Sequence, residues 1–424
     1  MALASASELR LYYYQVSEFY ILNGSDMDEV ETCCITSMEI REDFENDVFP
    51  VFKLSLALTK DRYCKIMNNK NTIKFKVRIQ KFYRKPGSED KSMMKDYISG
   101  TFVTIMDSSE LDTDNKGAIT NRTNQDSQTD TINTTMDLYL FREEVASSMK
   151  TEINQVLSGV NLTTAIGVIG STGGLTNILM SPLENQQSYN QLMIPPLVVH
   201  KAIQYLDNQY GFYKAGSIIF FGLKNNYILN FKGGCTAYAS GERQQTNLLI
   251  LTKDNTIATE SGMFDRNEKQ YYVNWEIVDV HPNNNSITND VLYGNNVNVV
   301  DSSTTGITKS TSSAISKGTN NTATIKNTTE NQWMADTYTA QSNSESVVLT
   351  GALSNVDLDA FTPNKRFNVV FEDTRLTNKY KGIYFLTNIR TEFTNTGGVY
   401  FRAITSITLK RVSTDSTDSE SYME

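Results

Sequence analysis

Residues 73–80 read Ile-Lys-Phe-Lys-Val-Arg-Ile-Gln. Ile73, Phe75, Val77 and Ile79 fall on one side of an extended chain, and Lys74, Lys76, Arg78 and Gln80 on the other. Successive side chains of a strand point to opposite faces, so this is a half-buried strand. Sliding it by one residue would bury three cations, which sets its register. Residues 51–58 repeat the pattern, with Phe52, Leu54, Leu56 and Leu58 opposed to Lys53, Ser55 and Ala57. Lys60–Met67, between the two, reads as a short helical turn. Two strands this close, each apolar on one face, predict a sheet that covers a core.

Outward from this pair, the first 142 residues read mostly as strands: Glu8–Leu22, Val30–Ile40, Thr101–Met106 and Met136–Phe141. The spacing predicts one barrel or sandwich. Residues 107–135 carry Asp, Thr, Asn and Ser with almost nothing apolar, and read as a mobile or partner-ordered loop. Residues 143–232 change character. Val145, Met149, Ile153 and Val156 recur at helical spacing, and a helix opens after Pro195-Pro196 with Leu197, His200, Ala202, Ile203 and Leu206. Strands Ser217–Phe221 and Tyr227–Phe231 complete a mixed α/β module.

Strands resume at Asn247–Thr252 and Gln270–Val280. From Pro282 to Glu345 the chain turns to Asn, Thr and Ser, and 283–344 reads as a long polar, flexible insert. Trp333, isolated within it, is a docking anchor or, more simply, a weak local contact. Asn368–Phe371, Gly382–Thr394 and Gly398–Arg411 form a β-meander, the last two joined as a hairpin through Asn395–Gly398. Residues 413–424 are a polar tail.

The composition agrees. The chain's 424 residues include 40 Asn, 47 Thr, 22 Tyr and 19 Phe, which favour turns and strands over long helices. Only 21% are charged, which argues against a coiled coil. The net charge of -9 disfavours a generic duplex-DNA binder, although a local basic stripe stays compatible with it. No apolar run approaches the roughly 18 residues needed to cross a bilayer, so no stable membrane insertion is expected. Met1–Arg10 lacks the cationic start of a secretory signal.

The four cysteines (Cys33, Cys34, Cys64 and Cys235) and the two histidines (His200 and His281) give a Cys/His zinc site almost no material. They read as structural thiols in a reducing compartment, with Cys33 and Cys34 on opposite faces of a strand. Gly170-Ser171-Thr172-Gly173-Gly174 lacks the lysine of a phosphate loop. Ser171 fails the nucleophile-elbow pattern because residue 169 is Ile, so the stretch reads as a turn. His200 sits among apolar neighbours at helical spacing and reads as a packed or surface helix residue. Glu143-Glu144 and Asp357/Asp359 are carboxylate pairs by proximity only, better read as solvated acids or helix-start charges. The Lys74/Lys76/Arg78 row could meet phosphates or an acidic partner, but is more simply the wet face of its strand. No catalytic residue, cofactor-binding residue, metal ligand or cofactor is expected.

Three stretches carry a family resemblance. They are Phe44–Tyr83, with Phe-Pro-Val-Phe-Lys-Leu-Ser-Leu at 49–56; Ile194–Leu229, with Ile-Pro-Pro-Leu and Phe-Phe-Gly-Leu; and Asn378–Val412, with Tyr-Lys-Gly-Ile-Tyr-Phe-Leu-Thr-Asn-Ile. Their pattern and order resemble the baseplate hub proteins of tailed bacteriophages, the type found in contractile tails. The resemblance implies a mainly β protein with two tube-like β-barrel domains, residues 1–142 and 233–282 with 345–412, plus the α/β module 143–232. It implies a non-enzymatic virion protein, assembled in the host bacterial cytoplasm as a homotrimer. Its partners would be the tail tube, other baseplate proteins and the central spike, with genomic DNA passing transiently through the lumen. Two rival readings are a tail-tip cell-wall hydrolase and a receptor- or glycan-binding tail protein.

Overall fold

The computed structural model describes residues 9–70, 72–104, 133–213, 216–230, 245–252, 262–266, 269–274, 278–282, 298–301, 308–311, 325–326, 347–395 and 400–413. The expectations for the 107–135 loop between 105 and 132, for Trp333, for Cys235, for the side chain of His281 and for the tail beyond 413 lie outside these residues.

The protein is mainly β with a smaller α/β part. The N-terminal strands are β1 (Leu9–Asn23), β2 (Asp26–Glu29), β3 (Ile35–Asp43), β4 (Val51–Thr59), β5 (Lys74–Arg84), β6 (Lys95–Thr104) and β7 (Asn133–Arg142), with helix α1 (Lys60–Asn68) between β4 and β5. The central part holds α2 (Glu143–Ser148), β8 (Glu152–Asn161), α3 (Leu162–Thr172), β9 (Ile178–Met180), β10 (Ser188–Val198), α4 (Val199–Tyr210), β11 (Ser217–Phe221) and β12 (Asn226–Asn230). Then come β13 (Gln245–Leu251), β14 (Met263–Asp265), β15 (Gln270–Asn274) and β16 (Val278–Pro282), and three short strands in the polar stretch, β17 (Asn298–Asp301), β18 (Thr308–Thr311) and β19 (Ile325–Lys326). The chain ends on β20 (Val347–Ser354), β21 (Arg366–Phe371), α5 (Thr374–Tyr380), β22 (Gly382–Asn395) and β23 (Phe401–Ser413).

The alternation at 51–58 and 73–80 sets the register as expected. Phe52, Leu54, Leu56 and Leu58 are buried on β4, and Phe75, Val77 and Ile79 on β5, each at 0–1% exposure. β5 lies antiparallel between β1 and β6, and β4 between β3 and β7. The two ends of the chain then join. β22 pairs with β3 through Asn388–Phe393, and Tyr14 of β1 pairs with Phe401 of β23. The pairings run β1-β14-β15-β13-β21-β22-β3-β4-β7-β6-β5 and back to β1, a barrel circuit of eleven strands. The β22–β23 hairpin crosses this circuit, which leaves few open edges for stray pairing among the described strands of the circuit. One apolar cluster fills the interior from both chain ends, from Phe52 and Phe75 to Tyr384 and Leu409.

The central module has its own core. Ile153, Ile166, Leu192, Ile203 and Phe221 bury together beneath α3 and α4. β8 and β10 form a two-stranded ribbon, and β11, β12 and β9 a small mixed sheet. The helix expected through Val145, Met149, Ile153 and Val156 is corrected here. It ends at Ser148, and Ile153 and Val156 lie on β8, where Val156 is 59% exposed. Three matches at helical spacing also fit an interrupted helix-to-strand stretch. Cys33 and Cys34 sit in a 3-10 turn, Thr32–Cys34, rather than on a strand. Gln270–Val280 resolves into two strands, β15 and β16. The helix expected after Pro195-Pro196 starts at Val199, because both prolines and Leu197 lie on β10, which pairs with β8 through Leu197 and Val198. The sequence does not announce α3, β9 or β10, whereas β11, β12 and the pairing of β22 with β23 fall where it put them, and the hairpin turn beyond Asn395 lies outside the described residues.

Candidate functional site

The module meets the barrel along a seam built from aromatic rings and backbone hydrogen bonds. Phe44 packs edge-on against Phe220 at 4.8 Å, and Phe49 against Phe221 and the His200 ring. The Phe221 amide donates to Val48 O at 2.8 Å, and Arg142 Nη1 to Gly222 O at 3.1 Å. The turn 222–225, between β11 and β12, thereby reaches into the barrel end.

Lys224 at the tip of this turn pairs with Asp359, and Lys81 of β5 bridges Asp357 and Asp359, the latter at 2.5 Å. Lys365 donates to the carbonyl of Asp359. Three separated parts of the chain thus contribute to one charged cluster, with Lys81 only 8% exposed. Glu42 of β3 faces the same turn and accepts the Leu223 amide. With Glu42 ionised, three lysines meet three carboxylates. A cavity of about 30 Å³, lined in part by Glu42, Tyr97, Lys224, Asp359 and Thr391, lies beside the cluster. It has the volume and polarity for a single water.

Burial governs the protonation here. Desolvation pushes the Glu42 carboxyl up to about 7, although Lys224 and the Leu223 amide pull it down. Desolvation lowers Lys224 despite Asp359. Asp359 is pushed up by burial, but Lys224 and Lys81 outweigh that and hold it below the usual carboxylate range. These opposed shifts are those of a cluster whose charges hold one another.

The residues singled out by sequence are distributed as follows. Asp357 and Asp359 do come together, but as lysine partners in this cluster and not as an open carboxylate pair. Lys74 and Glu143, considered separately, form one ion pair at 2.6 Å. Lys76 pairs with Glu18 at 2.8 Å, and Arg78 with Glu18 and Asp96 at 2.8 and 2.9 Å, so the basic row is matched by acids. Glu144 pairs with Arg142 and accepts from the Thr176 hydroxyl at 2.5 Å. The Ser171 hydroxyl donates to Val168 O at 2.9 Å, and Gly170 and Gly173 lie where a Cβ would strike Ile178 and Val199. That stretch is a tight helix end. His200 is partly buried on α4, and desolvation lowers its pKa. Among the described residues, no group of three or more His, Cys, Asp or Glu could hold a metal ion. None of their helices is long and apolar enough to cross a membrane. Sequence reasoning missed Lys81, Lys224 and Glu42. Lys81 alone carried a signal, as a cation next in line to the buried face of β5.

The fold has solved counterparts. The chain is similar to a tail protein from Neisseria meningitidis MC58, at 12% identity and a TM-score of 0.50, covering 94% of this chain and 96% of that one. It is also similar to the 43 kDa tail protein of prophage MuSo2 from Shewanella oneidensis, at 11% identity and a TM-score of 0.49, covering 93% and 98%. A third likeness is to a chain of the phage P2 virion baseplate in its activated conformation, at 8% identity and a TM-score of 0.32, covering 96% and 99%. At such identities the likeness is one of fold, and it is the Neisseria protein that carries it. No curated protein matches the sequence. The family model described as the bacteriophage PBS1 gene 109 protein matches residues 7–412, nearly the whole chain, and the protein belongs to that family.

Proposed function

We propose that this protein is a baseplate hub of a phage tail, a non-enzymatic part of the virion that connects the tail tube to the central spike. In this reading residues 1–142 and 233–282 with 345–412 are its two tube-like domains, whose strands share the one circuit, with 143–232 its α/β module and 283–344 an insert. Three copies form a ring around a lumen through which the genome leaves, and assembly takes place in the host cytoplasm. Membership of a bacteriophage family and a fold shared with a tail protein support the phage assignment. The observation that carries the structural role is the closed strand circuit, in which β3–β22 and β1–β14 join the two ends of the chain. Such a circuit makes a stiff wall with few free edges, as a ring under mechanical load needs.

The paired acids on the β5 row also suit a wall past which DNA slides, because matched charges offer phosphates little net attraction. A hydrolase has less support, since Asp357 and Asp359 are both engaged by lysines. Sedimentation of the purified chain, followed by electron microscopy of reconstituted tails, tests the reading. A trimer seated as a central ring is the expected result. A strictly monomeric protein missing from that ring would overturn it.

A further inference from the structure

The outward face of β5 has two halves of opposite character. From Lys74 to Gln80 every polar side chain meets an acid: Glu143, Glu18 or Asp96. Beyond Gln80 the same face carries Phe82 and Arg84. Phe82 stacks on Tyr13 of β1 at 5.7 Å and meets Tyr400 edge-on at 5.0 Å. The Arg84 guanidinium lies 5.4–5.6 Å from the Tyr13, Phe82 and Tyr400 ring centres.

The chain then folds back, and Lys91 comes directly opposite Arg84 in an isolated bridge. The Lys91 ammonium sits 3.9 Å above the Tyr400 ring and bonds its hydroxyl. Two like charges facing each other across a bridge repel. The ring quadrupoles offset part of that repulsion. Among the described residues no carboxylate pairs with either cation. Glu89 and Asp90, in the same loop, form no ion pair with them. Arg84 Nε is enclosed and has no hydrogen-bond partner, so it is the Nη end of the guanidinium that is left to meet a ligand. Beside this pair Met93 is 81% exposed.

We propose that Arg84 and Lys91, held over these three rings, form a docking site for an acidic segment of a partner protein, with Met93 as its apolar neighbour. Two uncompensated donor groups, one of them a planar fork, match carboxylates. Arg and Tyr are among the residue types enriched in protein-binding hot spots, and the exposed Met93 lies two residues along from Lys91. Nucleic acid fits less well. The ring faces a base would stack on are already covered by cations, and only two phosphates could be met.

The full-length protein, titrated with fluorescein-labelled poly-L-glutamate and separately with a labelled single-stranded oligonucleotide of equal charge, tests this by fluorescence anisotropy. Poly-L-glutamate should bind, and Arg84→Gln combined with Lys91→Gln should weaken it about tenfold or more. Lys76→Gln, in the paired half of the strand, should leave binding within about twofold. Arg84→Lys keeps the charge over the rings but loses the fork, and should fall between the two. Thermal melts of every variant show which of them is folded, and Arg84→Lys carries the comparison if the double variant is not. Binding that is unchanged in the double variant and in Arg84→Lys overturns the proposal. So does a patch-dependent preference for the oligonucleotide, or loss of self-association as the main effect in sedimentation. None of these outcomes depends on the protein being a hub.

Discussion

The Tyr14 hydroxyl donates to the carbonyl of Val356 at 2.9 Å and accepts the Leu358 amide at the same distance, across 342 and 344 residues of sequence. It ties β1 to the segment that follows β20, at the point where the two ends of the chain close on each other. Tyr14 is fully buried and packs edge-on against Phe393 of β22 at 5.3 Å. Tyr14→Phe keeps that packing and leaves one buried carbonyl and one buried amide without a partner. It should cost about 2 kcal/mol. Urea unfolding of the two proteins measures this, and an unchanged midpoint would show that water replaces the hydroxyl.

The Lys81–Asp359–Lys224 cluster fastens the module to the barrel. Asp359→Ala removes the ion-pair partner of Lys224, leaving it only the weaker pull of Asp357 and Glu42, and should destabilise the protein by about 2 kcal/mol, below the 3–5 typical of a fully buried pair because Asp359 is partly exposed. Adding Lys224→Met removes the stranded cation and should recover part of the loss. A double-mutant cycle reads the coupling directly. Strict additivity of the two substitutions would mean that the pair does not hold the joint.

Much of the fold was legible because β4 and β5 alternate strictly, and burial of one face leaves a single register. The helix from Val199 and the pairing of β22 with β23 were legible for the same local reason, the period of their apolar residues. What could not be read was the pairing of β3 with β22 and of β1 with β23. Those contacts join segments more than 300 residues apart, and nothing in either strand names its partner. The charged cluster escaped for a related reason. Lys224 and Asp359 are each ordinary in their own sequence surroundings, Lys81 stands out only as a cation in line with the buried face of β5, and the meaning of all three comes from the closure that brings them together. Asp357 and Asp359 were noticed as neighbours, but their lysines lay elsewhere in the chain. Val145 to Val156 misled because three apolar matches cannot distinguish one helix from a short helix followed by a strand.

Glu42 predicts a pH dependence. Its pKa in the folded protein is raised from 4.5 to about 7. A folded protein that holds the proton more tightly than the unfolded chain is stabilised where the proton is bound. The contribution is therefore complete below about pH 4.5 and is lost as the pH rises through 7. Glu42→Gln is neutral throughout and lacks this slope. The stability of the natural protein should fall relative to the Gln variant between pH 5 and 8, by at most about 3 kcal/mol. Denaturant midpoints of both proteins across that range provide the measurement. Parallel curves would place the ionisation of Glu42 elsewhere.

The row on β5 predicts a near-silent substitution. Lys76 pairs with Glu18, but its side chain is 46% exposed, and Glu18 keeps Arg78 as a second partner. Lys76→Gln should change stability by less than about 1 kcal/mol. A large loss would show that the face is shielded from solvent in the assembled state in which it was measured, so unfolding and sedimentation are best followed on the same sample.

Closure of the strand circuit makes its strongest local demand at Gly262, just before β14. Its φ of +102° is one that L side chains rarely adopt, and an added Cβ would lie 2.5 Å from Ser354 O and 2.7 Å from a Val356 methyl. Both obstacles belong to the end of β20 and the segment that Tyr14 grips, so neither can move without loosening that closure. The Gly262 amide also donates to Tyr272 O at 2.8 Å, which fixes the backbone from the other side. Gly262→Ala should therefore cost about 3 kcal/mol or more, the sum of backbone strain and the clash. It should also raise hydrogen exchange at the β14–β1 contact before the rest of the barrel. If exchange rises uniformly instead, β14 and β1 open only with the whole sheet, and closure there is no weaker than the core it encloses.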